Sequence, residues 1–161
     1  MSDNNFKKLP FGTEEFSVLR KEDYYYIDKS SYIKKVFENS ASVILFTRPR
    51  RFGKTLLMDM FKSFLRVAPD GSANREYKEK LFAGLEILKD KEFTDKYLGQ
   101  FPVIAFSLKA LCEGTFYESY KKLARVISDV ANEYDFIKDS PKLTDSEKTS
   151  FKKLLNYELV R

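Results

Sequence analysis

The segment Val43-Ile44-Leu45-Phe46-Thr47-Arg48-Pro49-Arg50-Arg51-Phe52-Gly53-Lys54-Thr55 joins an apolar run to a basic turn, and the amphipathic stretch Leu56 to Val67 follows at once. A phosphate-binding loop requires a buried strand, a loop of backbone N–H donors and a helix whose free N-terminus faces an anion. All three parts are expected here, in that order. The residue types suit phosphate binding, since Gly53 lets the backbone approach a phosphate, Lys54 reaches β and γ oxygens, and the Thr55 hydroxyl can ligate Mg²⁺. The ligand expected is a nucleoside triphosphate. Its phosphates would lie on the amides from Phe52 to Leu56, with Lys54 neutralising charge and Arg50 and Arg51 near the γ-phosphate. Arginines in such a loop are more often simply solvated, which is the other reading of Arg50 and Arg51.

The pattern G-x-x-x-x-G-K-[ST] begins with glycine, where this chain has Arg48. Arginine visits left-handed backbone angles only at a cost, so the loop either enters differently from the strand or carries strain. A basic turn with an accidental Gly-Lys-Thr is the alternative.

At 161 residues, 43% apolar, the chain is long enough for one domain with a core. It has no histidine and one cysteine, Cys112, which excludes a Cys/His zinc site, a disulfide framework and His-dependent triads. Cys112 reads as a small packing residue, because a thiol nucleophile would lack its imidazole base. The N-terminus has no basic-then-apolar layout and no segment approaches a membrane span, so a cytoplasmic protein without membrane contact is expected. A net charge of +5 and a pI near 9.1 are compatible with polyanionic partners, but the lysines are dispersed and no nucleic-acid-binding motif accompanies them.

Working outward from the loop, Ser42 to Thr47 is continuously apolar, as a parallel strand covered on both faces would be, and Pro102 to Leu108 reads as a second such strand. Upstream, Leu9 to Ile27 reads as an extended arm with a short strand, followed by a short helix from Ser31 to about Asn39. Downstream, Leu56/Leu57, Met60/Phe61 and Phe64/Leu65 form the core face of the loop helix. Pro69 to Ser72 is a turn, and helical stretches run to Phe82 and from Glu92 to Leu98. Thr115 and Glu118 form a capping box that opens a long helix reaching about Lys138, with Tyr120, Leu123, Ile127 and Val130 on its apolar stripe. Thr144 and Glu147 form another, opening a helix with Phe151, Leu154, Leu155 and Leu159 on one face.

The fold expected is α/β, a P-loop NTPase-type parallel sheet flanked by helices, incomplete at its C-terminal end. It divides into an arm and short helix over 1–40, a P-loop core over 41–138 and a C-terminal helix over 139–161. Hydrolysis also needs a strand that delivers an Asp to the Mg²⁺ shell, and Pro102 to Leu108 is followed only by Lys109 and Ala110. The chain thus reads as the front part of a longer protein.

Leu9-Pro10-Phe11-Gly12, Tyr25-Tyr26-Ile27-Asp28-Lys29-Ser30, the segment Leu45 to Thr55, Leu81-Phe82-Ala83-Gly84-Leu85 and Tyr97 to Ile104 together resemble the predicted AAA-ATPase-like family of bacteria and archaea. In that family Arg-Pro-Arg-Arg-Phe-Gly-Lys-Thr is the usual loop, so the resemblance makes Arg48 a family trait. It implies ATP and Mg²⁺ as ligands, a later strand ending in Asp-Glu, and often a nuclease-like domain of the PD-(D/E)XK type through which nucleic acid would be engaged. Asp28 and Lys29 match a family segment and read as a capped turn or surface ion pair. The function expected is an ATP-binding module without turnover of its own, in which oligomer formation is open. The alternative is a basic nucleic-acid or protein interaction module with a degenerate loop.

Overall fold

The computed structural model describes residues 7–109, 111 and 114–156. Cys112 and Leu159 lie outside them. Two compact units are present, one running to Val67 and resuming over Ala73–Phe101, the other made of Ala68–Ser72 and the chain from Pro102 onward.

Among the described residues the first unit is built from five helices: α1 (Phe16–Lys21), α2 (Ser31–Glu38), α3 (Lys54–Leu65), α4 (Arg75–Phe82) and α5 (Lys91–Tyr97), with a 3-10 turn over Glu86–Lys89. The apolar spacing read for α3 sets its packing. Met60, Phe61 and Phe64 are buried on one side of it, and Phe16 of α1, Ile33 of α2, Phe82 of α4 and Phe93 of α5 close around them. The core is largely aromatic, and its rings meet at angles that aromatic quadrupoles favour: Phe64 and Phe82 are edge-on at 5.3 Å, and Phe16 tilts against Phe82 at 4.8 Å.

The C-terminal end of α3 is closed by other segments. A helix leaves its last four carbonyls without helical partners. Here the Lys62 carbonyl accepts from the Arg66 amide, Phe64 from Gly99 and Leu65 from Phe101, each at 2.8 to 3.0 Å. The Ser63 carbonyl accepts from the ammonium of Lys78 on α4 at 2.6 Å. Lys78 is only 6% exposed. Burial, with Arg66 nearby, pushes its pKa down from 10.5 to about 8. Gly99 reaches its position with φ +68, and a Cβ there would stand 2.2 Å from the Ala73 carbonyl oxygen, so no other residue fits.

No parallel sheet is present among the described residues: helix makes up 53% of the structure and strand 1%, with a single parallel bridge between Arg66 and Phe101. The α/β expectation is therefore wrong for this chain, and both apolar runs are irregular. Burial alternates along the first, with Ile44 and Phe46 half-buried and Val43 and Leu45 more than 80% exposed, and Phe46 rests on Phe61 of α3 at 6.0 Å. Among the described residues α3 thus meets the run at Phe46, while Val43 and Leu45 stay exposed. In the second run the N–H and C=O of Val103 are both bonded to the Tyr134 hydroxyl, at 2.6 and 2.7 Å, in place of a neighbouring strand. An uninterrupted apolar sequence permits a doubly covered strand but supplies no partner for it. The expected arm over Leu9 to Ile27 likewise contains α1, whose first amide, that of Phe16, donates to the Asp59 carboxylate on α3 at 2.7 Å.

The second unit pairs α6 (Phe116–Asn132) with α7 (Asp145–Leu155), linked through a 3-10 turn over Asp135–Asp139. Thr115 caps α6, and Thr144 with Glu147 forms the full capping box of α7. The buried line of α6 runs through Ala124, Ser128 and Ala131, small residues that let α7 approach, and the Ser128 hydroxyl donates to the Leu155 carbonyl at 2.9 Å.

Candidate functional site

The loop that precedes α3 turns through two left-handed residues, Arg51 at φ 67 and Gly53 at φ 70. Phe52 between them and Lys54 after them are not left-handed, so the backbone alternates in hand and its successive N–H groups can converge on one side. Arg48 is not left-handed. Of the two alternatives at position 48, a left-handed Arg48 is not seen, and the left-handed conformation falls on Arg51.

Gly53 is the N-cap of α3 and the first helical bond runs from the Leu57 amide to its carbonyl at 2.9 Å. The amides of Lys54, Thr55 and Leu56 are thereby outside the helical ladder. Among the described residues no side chain caps them, and the first turn contains no acidic residue. The positive end of the α3 dipole is left without a counter-charge from its own helix. Thr55 is exposed in this turn. The Lys54 ammonium folds back over the loop, donating to the carbonyls of Arg48 at 2.5 Å and Pro49 at 3.1 Å.

Lys29 joins this group although its local sequence suggested only a capped turn. Its ammonium lies 3.9 Å from the point where a Cβ on Gly53 would stand. Its neighbours explain why it is there. The Asp28 carboxylate accepts from the amides of Ser30 and Glu86, both at 2.8 Å, and the buried Ser30 hydroxyl accepts from the Ile87 amide at 3.1 Å. Burial alone would raise the Asp28 carboxyl, but the Glu86 and Ser30 donors hold it below the usual carboxylate range. Asp28 and Ser30 are fixed to the 3-10 turn, and Lys29 between them is directed at the loop.

Two cavities meet at Phe52 and Gly53. One, of about 220 Å³, is lined by Lys29, Arg48 and Lys54 together with Tyr32 and Phe46. The other, of about 290 Å³, is lined by Pro10, Tyr25, Tyr26, Ile27 and Arg51. Lys29, Phe52, Gly53 and Leu57 border both, and no acidic side chain lines either. Of the residues expected from sequence, Phe52, Gly53 and Lys54 share the first cavity, whereas Arg51 and Leu56 line the second. Arg50 and Thr55 are exposed and line neither. The arrangement suits an anion on the first cavity's side. With no acidic side chain in either lining, a divalent cation there would take its ligands mainly from phosphate oxygens and water. Among the described residues no three His, Cys, Asp or Glu side chains converge as a metal site.

A more open hollow of about 590 Å³ lies between α2 and residues 86–91, and four of its charges pair locally: Lys34 with Asp90 and Lys89 with Glu86, both at 2.5 Å. Among the described residues no helix is long and apolar enough to cross a membrane.

Comparison with known proteins gives a match to the family described as "Predicted AAA-ATPase" over residues 10–159. A curated relative, the "Uncharacterized protein in vnfD 5'region" of Azotobacter chroococcum mcd 1, is 44% identical over 54 residues, 33% of this chain and 10% of that protein. The aligned part is thus about a tenth of the length of the curated relative it matches. No solved structure matches.

Proposed function

The chain belongs to the predicted AAA-ATPase family, and from that membership we propose that residues 48–56 bind the phosphates of ATP, with Mg²⁺ held through the nucleotide and the Thr55 hydroxyl. The observation that carries this reading is the opening of α3: three unladdered amides, no cap on them among the described residues and no acidic residue in the turn, with Lys54 and Lys29 lining one cavity beside a left-handed Gly53. In this role the amides of Lys54 to Leu56 bind phosphate oxygens, and Lys54 exchanges its loop carbonyls for the β and γ oxygens. Lys29 adds a second positive charge to the same cavity. Mg²⁺, when bound, would neutralise charge between the phosphates.

The reading stops at binding. Neither cavity has a carboxylate to complete a metal shell or orient a water. Thermal unfolding of the chain and of Lys54→Ala, with and without Mg-ATP, tests it. Ligand at about a hundred times its dissociation constant stabilises by about 2.7 kcal/mol, a rise in Tm on the order of 5 to 10 °C for a chain of this size. The rise is expected in the parent and not in Lys54→Ala. A cooperative parent melt that Mg-ATP leaves unmoved would overturn the proposal.

A further inference from the structure

We propose that Asp28 and Ser30 are positioning residues for phosphate binding: they staple their segment to the amides of Glu86 and Ile87, and Lys29 between them is thereby held as a phosphate ligand beside Gly53. The proposal rests on the phosphate reading above. It extends that site to a 3-10 turn whose two amides lie 58 and 57 residues further along the chain.

The use made of Ser30 is the first support. Ser30 stands at the N-cap of α2, where a serine hydroxyl ordinarily satisfies an open amide of its own helix. Here its side chain makes no bond to α2, and the fully buried hydroxyl accepts from the Ile87 amide instead. Asp28 is engaged through both carboxylate oxygens, Oδ1 by the Ser30 amide and Oδ2 by the Glu86 amide. The turn that receives these bonds is itself locked, since the buried Thr94 hydroxyl of α5 donates to the Ile87 carbonyl at 3.1 Å. Lys29 is therefore flanked by two residues that cannot shift without breaking bonds to a fixed turn. Only its side chain retains freedom, which lowers the ordering cost of placing its ammonium on a ligand.

The surroundings of that ammonium are the second support. Lys29, Arg48 and Lys54 line one cavity of about 220 Å³, and among the described residues no acidic side chain lines it. Lys54 is bonded to the carbonyls of Arg48 and Pro49. Gathering cations without a counter-charge is unfavourable, and an anion between them relieves the repulsion. A staple that served stability alone would hold the turn equally well with any residue at position 29, whereas one that serves the site requires lysine there.

The test is calorimetric titration of Mg-ATP into the full chain, Lys29→Met, Lys29→Arg, Ser30→Ala and the double variant Lys29→Met/Ser30→Ala, at a temperature where circular dichroism shows each to be folded. Lys29→Met should weaken binding about tenfold to a hundredfold, the loss of one charge-assisted bond, and Lys29→Arg, which keeps the charge, by much less. Ser30→Ala alters no charge and should weaken binding about threefold to tenfold by loosening Lys29. In the double variant it should cost nothing further, because Ser30 acts through Lys29. Parent affinity in Lys29→Met overturns the proposal and leaves the phosphate reading standing. An unchanged affinity in Ser30→Ala despite a lowered Tm, or losses that add in the double variant, also overturns it. Hydrogen exchange supplies a reading that needs no Ser30 variant: with Mg-ATP at the same multiple of each protein's Kd, the amides of 86 and 87 should slow in the parent and not in Lys29→Met. Equal slowing in both overturns the proposal. A parent that fails to bind Mg-ATP removes the phosphate reading and this one together.

Discussion

Replacing Lys78 by methionine should make the stability of this chain respond differently to alkali. Lys78 is 6% exposed and donates to the Ser63 carbonyl at 2.6 Å, and its folded pKa is about 8 against an ordinary 10.5. The folded state therefore holds this proton less tightly than the unfolded chain. Between the two values the unfolded chain binds more protons, so stability rises with pH across that window. At about 1.36 kcal/mol per pH unit, the interval is worth about 3 kcal/mol. Below pH 8 the penalty is fully present, and above 10.5 it is gone. Near pH 7, losing a charge-assisted bond to Ser63 costs about 1.5 to 3 kcal/mol, while removing a buried cation returns a similar amount, so the two proteins should be of comparable stability. At pH 11 the parent should be more stable than Lys78→Met by about 3 kcal/mol beyond its value at pH 7. Urea unfolding of both proteins over that range measures the difference, in which ionisation of the tyrosines and other lysines cancels. A difference that stays flat, or that shrinks with pH, would refute both the burial of this ammonium and its role at the end of α3.

Gly99→Ala combines a left-handed backbone with a Cβ placed 2.2 Å from the Ala73 carbonyl oxygen, so it should destabilise the chain by well over about 1 kcal/mol, read as a lower urea midpoint. Ser30→Ala removes the buried acceptor of the Ile87 amide and should cost about 1 to 3 kcal/mol in the same assay; a loss under about 0.5 kcal/mol would mean that another group satisfies that amide.

Local signals are readable wherever the physics that fixes an element lies within a few residues. The Thr115 cap of α6 and the capping box of α7 sit where Thr115 and Thr144 place them, because hydroxyl and amide are three residues apart, although at α6 Glu118 does not return the bond to the Thr115 amide. The same holds for the apolar face of α3. Elements completed by distant groups are not readable in this way. Lys78 lies in a run of charged residues and looks solvated, yet it serves the end of a helix fifteen residues back in the sequence. Asp59 reads as a polar-face residue and is the cap of α1. α6 ends at Asn132, short of the expected Lys138, although Tyr134 and Ile137 keep the apolar spacing, since a 3-10 turn can carry that spacing onward. The two apolar runs read wrongly as strands because hydrophobicity reports burial on one face or two, whereas a sheet also needs a partner. At the candidate site, Gly53 and Lys54 are legible as a motif. Lys29 is hidden, because the hydrogen bonds that aim it come from the 3-10 turn some 57 residues later.

The cap that Asp59 supplies to α1 has a consequence for how the chain acquires its structure. α1 has six residues and no capping bond from its own N-cap side chain, far below the length at which a helix persists alone in water. Its Phe16 ring rests on Phe82, 66 positions further along. A ribosome making this chain from its N-terminus would release the α1 sequence early, but the groups that hold it helical leave the tunnel only with α3 and α4. The first helix in the sequence should therefore be among the last to become protected, and hydrogen exchange pulsed during refolding should find the amides of 16–21 slow to close while those of α3 are already shielded.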